Sequence, residues 1–171
     1  NMHWEEQGPW TGEISAPMVK DCGSTMVELG HSERRSFFNE TDETVALKVK
    51  AAVKHGLLAL VCIGDTKAEY DAGRTAEVLE RQTRAALSLV GKSSASKVIL
   101  AYEPVWSIGE GGVPADPDFA NEQKRRIKAV TLAETGAALP ILYGGSVNQQ
   151  NCCALARQPH IDGLFIGRAA W

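Results

Sequence analysis

Five short apolar runs alternate along the chain with longer amphipathic stretches. Each run has the length and the β-branched composition of a strand buried on both faces, as in a parallel sheet. The runs cover residues 25–29, 57–63, 97–102, 139–143 and 163–166. This alternation predicts an α/β fold in which helices connect parallel strands.

Helical spacing of apolar residues fills the gaps between these strands. The predicted helices cover residues 42–56, 75–90, 116–136 and 148–156. Asp42 is a candidate N-cap for the first of them, and Gly56 ends it. Pro117 stands in the first turn of the third helix, directly after Asp116, and Gly136 ends that helix.

The spacing of the strands favours a barrel. Their starts recur about every 35 residues, close to the roughly 30 residues of one unit in an eight-stranded strand–helix barrel. No Gly-x-Gly-x-x-Gly pattern follows a strand, which argues against a dinucleotide-binding sheet. Only five strands are predicted, whereas a closed barrel needs about three more. We therefore expect residues 1–171 to form a single, partial barrel domain from a longer protein.

Composition argues against several kinds of partner. A chain of 171 residues, 44% of them hydrophobic, can bury one core of ordinary size. The net charge of −3 predicts no nucleic-acid partner and no membrane partner, and Lys124-Arg125-Arg126 is interpreted as one solvated helix face. The four cysteines form no C-x-x-C pair, so we expect no metal site, and a reducing cytoplasm fits them best.

One carboxylate and one histidine stand where predicted strands end. Glu103 follows the strand of residues 97–102, and Pro104 biases its backbone to an extended conformation. His31 follows the first strand, with Glu33 two residues beyond it. The carboxyl ends of barrel strands carry the chemistry of such folds. Because a carbon acid next to a carbonyl needs a base and a hydrogen-bond donor, Glu103 and His31 are the candidate catalytic pair.

Glycine-rich turns follow the last three predicted strands. They are Ile108-Gly109-Glu110-Gly111-Gly112, Gly144-Gly145-Ser146 and Ile166-Gly167-Arg168. Backbone N–H groups exposed by glycine can hold a phosphate dianion, and the loops after the last two strands of a strand–helix barrel are its usual phosphate site. The three turns together predict a phosphorylated ligand.

Several motifs, in chain order, resemble the triosephosphate isomerase family. They are Gly30-His31-Ser32-Glu33-Arg34-Arg35, Ala101-Tyr102-Glu103-Pro104-Val105-Trp106, Tyr143-Gly144-Gly145-Ser146-Val147 and Asp162-Gly163. The resemblance implies a TIM (β/α)8 barrel, of which about five strand–helix units lie in this chain and the first three strands and last helix do not.

A further motif, Thr11-Gly12-Glu13-Ile14-Ser15, resembles the family's dimer-interface loop. The resemblance implies a homodimer, and the tryptophan before this loop is flanked by glycines and expected to be exposed. The predicted interface consists of Trp10, Thr11, Gly12 and Glu13. A loop folded onto its own barrel is the alternative.

The resemblance also implies roles for the catalytic candidates. Glu103 matches the base that moves a proton between adjacent carbons, and His31 matches the neutral electrophile, both of them known roles in this family. Glu33 is either structural or a proton relay, and we favour the structural role. No cofactor is implied, and the partner is a small phosphorylated sugar.

Phosphate-binding and lid residues are implied in the same way. Gly109, Ser146 and Gly167 match phosphate-binding positions, and Arg168 stands where the family has a second glycine. The implied lid contains Pro104, Val105 and Trp106 at its first hinge and Glu110, Gly111 and Gly112 at its tip.

The lid departs from the family pattern Gly-Thr-Gly-Lys-Thr-Ala, which is replaced by Gly109-Glu110-Gly111-Gly112-Val113-Pro114. Pro114 has no N–H for the tyrosine hydroxyl that latches the closed lid, so Tyr143 is expected to find another partner. Asp65 stands where the family has a longer carboxylate that meets the hinge tryptophan, here Trp106. The lysine of the family's first strand has no counterpart in this chain.

These observations predict a cytoplasmic aldose–ketose isomerase that interconverts glyceraldehyde 3-phosphate and dihydroxyacetone phosphate through an enediolate, as in glycolysis and gluconeogenesis. The altered lid keeps a second enzyme open, a four-carbon isomerase acting on erythrulose phosphate. A catalytically silent phosphate-binding fragment is the alternative of another class, because strands of the barrel are absent from the chain.

Overall fold

The computed structural model describes residues 1–109 and 111–170 and shows one sheet of five parallel strands. The strands are β1 Met26–Leu29, β2 Leu58–Ile63, β3 Val98–Tyr102, β4 Ile141–Tyr143 and β5 Gly163–Leu164. Each strand pairs with the next one in the sequence. This consecutive order, with helices between parallel neighbours, is the arrangement of a strand–helix barrel. The predicted fold class is confirmed, although each strand is shorter than its apolar run.

Helices occupy the segments between the strands. They are α1 Ala16–Asp21, α2 Ser32–Phe37, α3 Asp42–Lys54, α4 Lys67–Asp71, α5 Thr75–Leu87, α6 Pro117–Thr135 and α7 Cys152–Ala156. Short 3₁₀ turns cover Lys92–Lys97, Val105–Ser107 and Arg168–Ala170. Within the described ranges, no helix combines the length and the apolar character needed to cross a membrane.

The helix predicted at 116–136 is confirmed as α6. The Asp116 carboxylate accepts the backbone N–H groups of Asp118, at 2.9 Å, and of Phe119, at 3.2 Å. Gly136 ends the helix with a φ of 82°, a left-handed conformation that glycine adopts at little cost.

The cap predicted for α3 is wrong. Thr41 is the N-cap, because its hydroxyl accepts the N–H of Thr44 at 3.3 Å while the Thr44 hydroxyl accepts the N–H of Thr41 at 2.9 Å. Asp42 is the first helical residue, and its carboxylate binds the guanidinium of Arg35 at 2.7 Å.

The helix predicted at 148–156 is shortened to α7. The Asn148 side chain accepts the backbone N–H groups of Gln150, at 2.9 Å, and of Asn151, at 3.1 Å. These bonds stabilise a turn in place of the first predicted helical turn, because an asparagine side chain competes for the backbone donors.

The two faces of the sheet have different neighbours. Alternate strand residues, such as Val61 and Leu100, are fully buried in the main core with the helices. The residues between them point to the other face, where Leu60, Cys62 and Ala101 form a second apolar cluster. This second face is the interior face of a barrel. The carboxyl ends of all five strands meet at one edge of it, which is where the predicted site residues lie.

The interpretation of Lys124-Arg125-Arg126 as one solvated face is wrong for Lys124. Arg125 and Arg126 are exposed and both pair with Glu122. Lys124 is fully buried, and its ammonium group donates a hydrogen bond to the carbonyl of Ile141 at 2.8 Å. Burial lowers the pKa of Lys124 to about 6.

We expect Lys124 to make stability depend on pH. Its pKa is about 6 in the folded protein and 10.5 in an unfolded chain, so between these values the unfolded state binds the additional proton and stability rises with pH. Lys124→Met should reduce this rise, whereas Lys50→Met, which removes an exposed lysine, should leave it unchanged. Urea unfolding of the full-length protein between about pH 6.5 and about pH 9.5 measures the effect. Equal pH dependence in both variants would contradict the assignment.

Candidate active site

Glu103 directly follows β3, and its backbone continues the sheet beyond that strand. Its N–H donates to the carbonyl of Ile63 at 2.8 Å. The next residue on the neighbouring chain segment is Gly64, where a Cβ would lie only 1.8 Å from the carbonyl oxygen of Glu103. Glycine is therefore required for the two backbones to approach. The Glu103 residue is 4% exposed, and its Oε2 has no hydrogen-bond partner among the described residues.

The imidazole of His31 faces this carboxylate. His31 is the N-cap of α2, and its Nδ1 accepts the backbone N–H of Glu33 at 3.3 Å. In the neutral ring the proton must then be on Nε2, which lies 3.4 Å from Oε1 of Glu103. The ends of β1 and β3 thus bring the predicted catalytic pair together.

Glu33 contacts His31 through its backbone. Its carboxylate is 73% exposed and lies 3.9 Å from Nδ1, beyond hydrogen-bonding distance. The pKa of His31 is raised mainly by its hydrogen bond with Glu103. Burial of the ring partly offsets this rise, and the negative charges of Glu103, Glu28 and Glu33 add to it.

One cavity of about 860 Å³ collects most of the predicted site residues. Those lining it are Glu103, His31, Glu33, Gly109, Gly111, Gly112, Ser146, Gly167 and Arg168. The predicted hinge residues Pro104, Val105 and Trp106 do not line it. The predicted lid residue Glu110 lies outside the described residues.

The turns after β3, β4 and β5 are tied together at one end of this cavity. The Arg168 guanidinium donates a hydrogen bond to the carbonyl of Gly109 at 2.5 Å, so its side chain turns toward the lid. The hydroxyl of Ser146 donates to the carbonyl of Ser107. Gly109 has a φ of 84°, a conformation that a residue with a Cβ rarely adopts.

The first hinge of the predicted lid is held by Asp65. Its fully buried carboxylate accepts hydrogen bonds from Trp106 Nε1 at 3.3 Å, from the Tyr102 hydroxyl at 3.2 Å and from the Thr75 hydroxyl at 2.6 Å. Its carbonyl accepts the N–H of Val105 at 2.9 Å. The predicted contact between Asp65 and Trp106 is confirmed. Thr75 and Tyr102 escape sequence reasoning because nothing in the sequence links residues so far apart.

Tyr143 does not gain the new partner that was expected for it. Its hydroxyl is buried without a hydrogen-bond partner among the described residues. The Ser107 hydroxyl and the backbone N–H of Ala115 lie close by and partly offset the effect of burial, which raises the pKa of Tyr143 to about 12. Neither of them reaches hydrogen-bonding geometry.

The loop predicted as a dimer interface packs partly on its own chain. Trp10 is 45% exposed, and its ring centroid lies 4.5 Å from that of His3 and 6.5 Å from that of Trp4. Residues 11–13 are exposed. The interface itself stays a prediction.

Two residues near the catalytic pair are missed by the sequence analysis. Glu28 on β1 lines the cavity, and burial raises the pKa of its carboxyl group. Cys62 on β2 lies next to Glu103, and burial raises the pKa of its thiol. A single charge within an apolar strand is the signal that could have identified Glu28. In the described part of the chain, no group of three or more potential metal ligands is placed so that it could hold a metal ion.

Comparison with known proteins finds three similar chains that share one name. Three similar proteins are each named L-erythrulose-1-phosphate isomerase, and all of this chain aligns with each of them. The protein from Rhizobium rhizogenes is 55% identical over 172 residues, that from Rhizobium meliloti 56% and that from Brucella abortus 55%. The chain spans 66%, 68% and 67% of their respective lengths, or about two thirds.

The family comparison covers the whole chain. The family model described as triosephosphate isomerase matches residues 1–171, which include the strand ends that carry Glu103 and His31 and the three glycine-rich turns. The chain belongs to the triosephosphate isomerase family.

Proposed function

We propose that the full-length protein is an isomerase that moves a proton between adjacent carbons of a small sugar phosphate. The observation that carries this proposal is the 3.4 Å approach of His31 Nε2 to Glu103 Oε1 in a cavity bordered by glycine-rich turns. Such a transfer needs a base for the carbon-bound proton and a hydrogen-bond donor for the oxygen that becomes negative.

Glu103 is the base in this proposal. Its Oε2 accepts no hydrogen bond from the described residues and is available to a proton on the carbon next to a carbonyl. As the C–H bond breaks, its electrons form the carbon–carbon double bond of an enediolate. The hydroxyl proton on the carbon that lost its hydrogen passes to the oxygen of the former carbonyl. Protonated Glu103 then delivers a proton to the former carbonyl carbon, which leaves the new carbonyl on its neighbour. Because only protons and bonding electrons move, the reaction needs no oxidant or reductant.

His31 supplies the hydrogen bond to the enediolate oxygen. The Glu33 N–H occupies Nδ1, which favours the tautomer with its proton on Nε2. A substrate inserted between His31 and Glu103 removes the hydrogen bond that does most to raise the pKa of His31, and so favours the neutral ring. We assign Glu33 a structural role, through its backbone.

The phosphate group is assigned to the end of the cavity formed by Gly109, Ser146 and Gly167. Arg168 can exchange its hydrogen bond to the Gly109 carbonyl for a charge-assisted bond to a phosphate oxygen, which is the stronger interaction. Closure of the lid about the hinge at residues 104–106 would then exclude water from the enediolate.

We propose L-erythrulose 1-phosphate as the substrate in preference to a triose phosphate. The names of the three similar proteins support this choice, as do the altered lid tip and Arg168. In this ketose the phosphate is on C1 and the carbonyl is on C2. A carbonyl cannot form at C1 while the phosphate ester stays there, so the proton moves from C3 to C2. The product is a second ketose phosphate with its carbonyl at C3, not an aldose.

Two further proposals concern assembly and location. We propose a homodimer formed through Trp10 and residues 11–13, supported by the exposure of this loop. A reducing cytoplasm is supported by the four free thiols of the chain. We propose that the protein needs no cofactor and binds neither nucleic acids nor membranes.

Glu103→Gln should lower kcat at least about a thousandfold, because glutamine keeps the size of the side chain and cannot take up the proton. Inhibition by inorganic phosphate should be unchanged, since the phosphate end of the cavity is intact. The control is Glu77→Gln, an exposed carboxylate on α5, which should retain the parent rate. A Glu103→Gln protein with parent kcat would show that another group is the base.

Substrate length is tested by kcat/KM of the full-length protein for L-erythrulose 1-phosphate and for dihydroxyacetone phosphate. We expect at least a tenfold preference for the four-carbon substrate, about 1.4 kcal/mol of transition-state discrimination. A tenfold preference for the triose would restore the first prediction from the sequence. Turnover of neither substrate, together with phosphate binding, would support the catalytically silent alternative.

Sedimentation equilibrium at micromolar concentration should give the mass of a dimer. Thr11→Arg, which places a bulky cation in the exposed loop, should shift the protein toward monomer, while Lys50→Met should not. A parent protein that sediments only as a monomer would remove the dimer proposal.

A further inference from the structure

Glu28 is a carboxylate on the interior face of the sheet. Its neighbours in β1, Val27 and Leu29, are buried in the core with the helices, so the alternation of the strand turns Glu28 to the opposite face. In the β1–β2 register it lies beside Leu60, a member of the apolar interior cluster. Leu60 in turn pairs with Ile99 on β3. Glu28 therefore places a charged group among apolar side chains.

The position of Glu28 is costly unless something binds its carboxylate. A half-buried carboxylate loses part of its hydration and has to be compensated by hydrogen bonds. Within the ranges that the structure describes, the Glu28 carboxylate has no hydrogen bond and no ion pair. Burial is the first cause of its raised pKa. Glu28 lines the cavity that His31 and Glu103 also line.

The lining of the cavity indicates the direction in which a substrate lies. The proposed phosphate-binding turns follow β3, β4 and β5, whereas β1 and the segment after it line another side of the cavity within the described residues. A substrate with its phosphate at Gly167 and its reacting carbons between Glu103 and His31 points its remaining carbons toward β1. Three polar side chains of the cavity come from β1 or the segment after it: Glu28, His31 and Glu33. His31 is used in the reaction, and the carboxylate of Glu33 is exposed to solvent.

We propose that Glu28 is a specificity-determining residue that accepts a hydrogen bond from the terminal hydroxyl group of the substrate, at the end opposite the phosphate. This inference rests on the proposed function and deepens it. In L-erythrulose 1-phosphate that group is the C4 hydroxyl, which lies one carbon beyond the C3–H that Glu103 attacks. Dihydroxyacetone phosphate ends at the reacting carbon and has no such group, so it leaves Glu28 unpaired.

An interior carboxylate can select for this group more sharply than an apolar wall. An apolar pocket distinguishes substrates that differ by one carbon only weakly, whereas a site with a buried polar group rejects an analogue that cannot pair with it. One hydrogen bond to a charged group corresponds to a discrimination of between about tenfold and a hundredfold. Glu28 thus offers a physical reason why the enzyme would prefer the longer substrate, and this reason does not depend on the lid.

The test compares Glu28→Leu and Glu28→Gln in the full-length protein. In Glu28→Leu we expect kcat/KM for L-erythrulose 1-phosphate to fall at least about tenfold while kcat/KM for dihydroxyacetone phosphate stays within about threefold of the parent or rises. Glu28→Gln keeps a hydrogen-bond acceptor and should recover part of the loss. Inhibition by inorganic phosphate should be the same in all three proteins, because phosphate binds at the other end. Glu77→Leu, the same substitution on the outer helix α5, is the matched control and should not change the ratio.

Two outcomes would overturn the inference. If both variants lower kcat/KM equally for the two substrates, or change neither value, Glu28 does not select for substrate length. Should Glu28→Leu fail to fold, the Glu28→Gln protein decides alone, and an unchanged substrate ratio in it would overturn the inference. A parent enzyme that does not turn over L-erythrulose 1-phosphate would instead show that the proposed function is wrong, which separates the two failures.

Discussion

The site depends on how closely the backbones of β2 and β3 approach beyond their last paired residues. The N–H of Glu103 bonds to Ile63, and its carbonyl lies where a Cβ on Gly64 would be. Any larger residue at Gly64 would push the two segments apart and move the carboxylate out of reach of His31. The proposed base must meet a proton at hydrogen-bonding distance and tolerates little displacement, so we infer that this contact controls the proposed chemistry.

The first hinge of the predicted lid, at residues 104–106, is hydrogen-bonded to the residue that follows Gly64. Asp65 follows Gly64 directly, and its carboxylate binds Trp106 and the β3 residue Tyr102. A buried anion that accepts only neutral hydrogen bonds is stabilised as long as all its donors stay in place. Movement of Trp106 would therefore alter the packing at the end of β3, where Glu103 begins. The predicted lid and the proposed base are in this way connected through one short side chain.

Sequence reasoning identifies the parts of this site that follow local rules. Apolar runs reveal the strands, Asp116 and Gly136 mark the ends of α6, and the motifs that contain His31 and Glu103 carry the family resemblance. It fails where tertiary packing decides. Lys124 belongs to a basic run on a helix, and only the position of β4 shows that its ammonium group is buried against a strand carbonyl. The contacts of Asp65 with distant hydroxyl groups leave no local trace either.

The central claim is that Glu103 and His31 act on a single pair of adjacent carbons while the phosphate is held at the far end of the cavity. The most direct measurement is the position of deuterium in the product formed from L-erythrulose 1-phosphate in D₂O, determined by NMR. The proton held by Glu103 can exchange with D₂O while the enediolate is bound, so the account predicts deuterium at C2 of the product, numbered as in the substrate, and none at C1 or C4. Deuterium at C1 or C4 would place the base beside a different carbon and contradict the account.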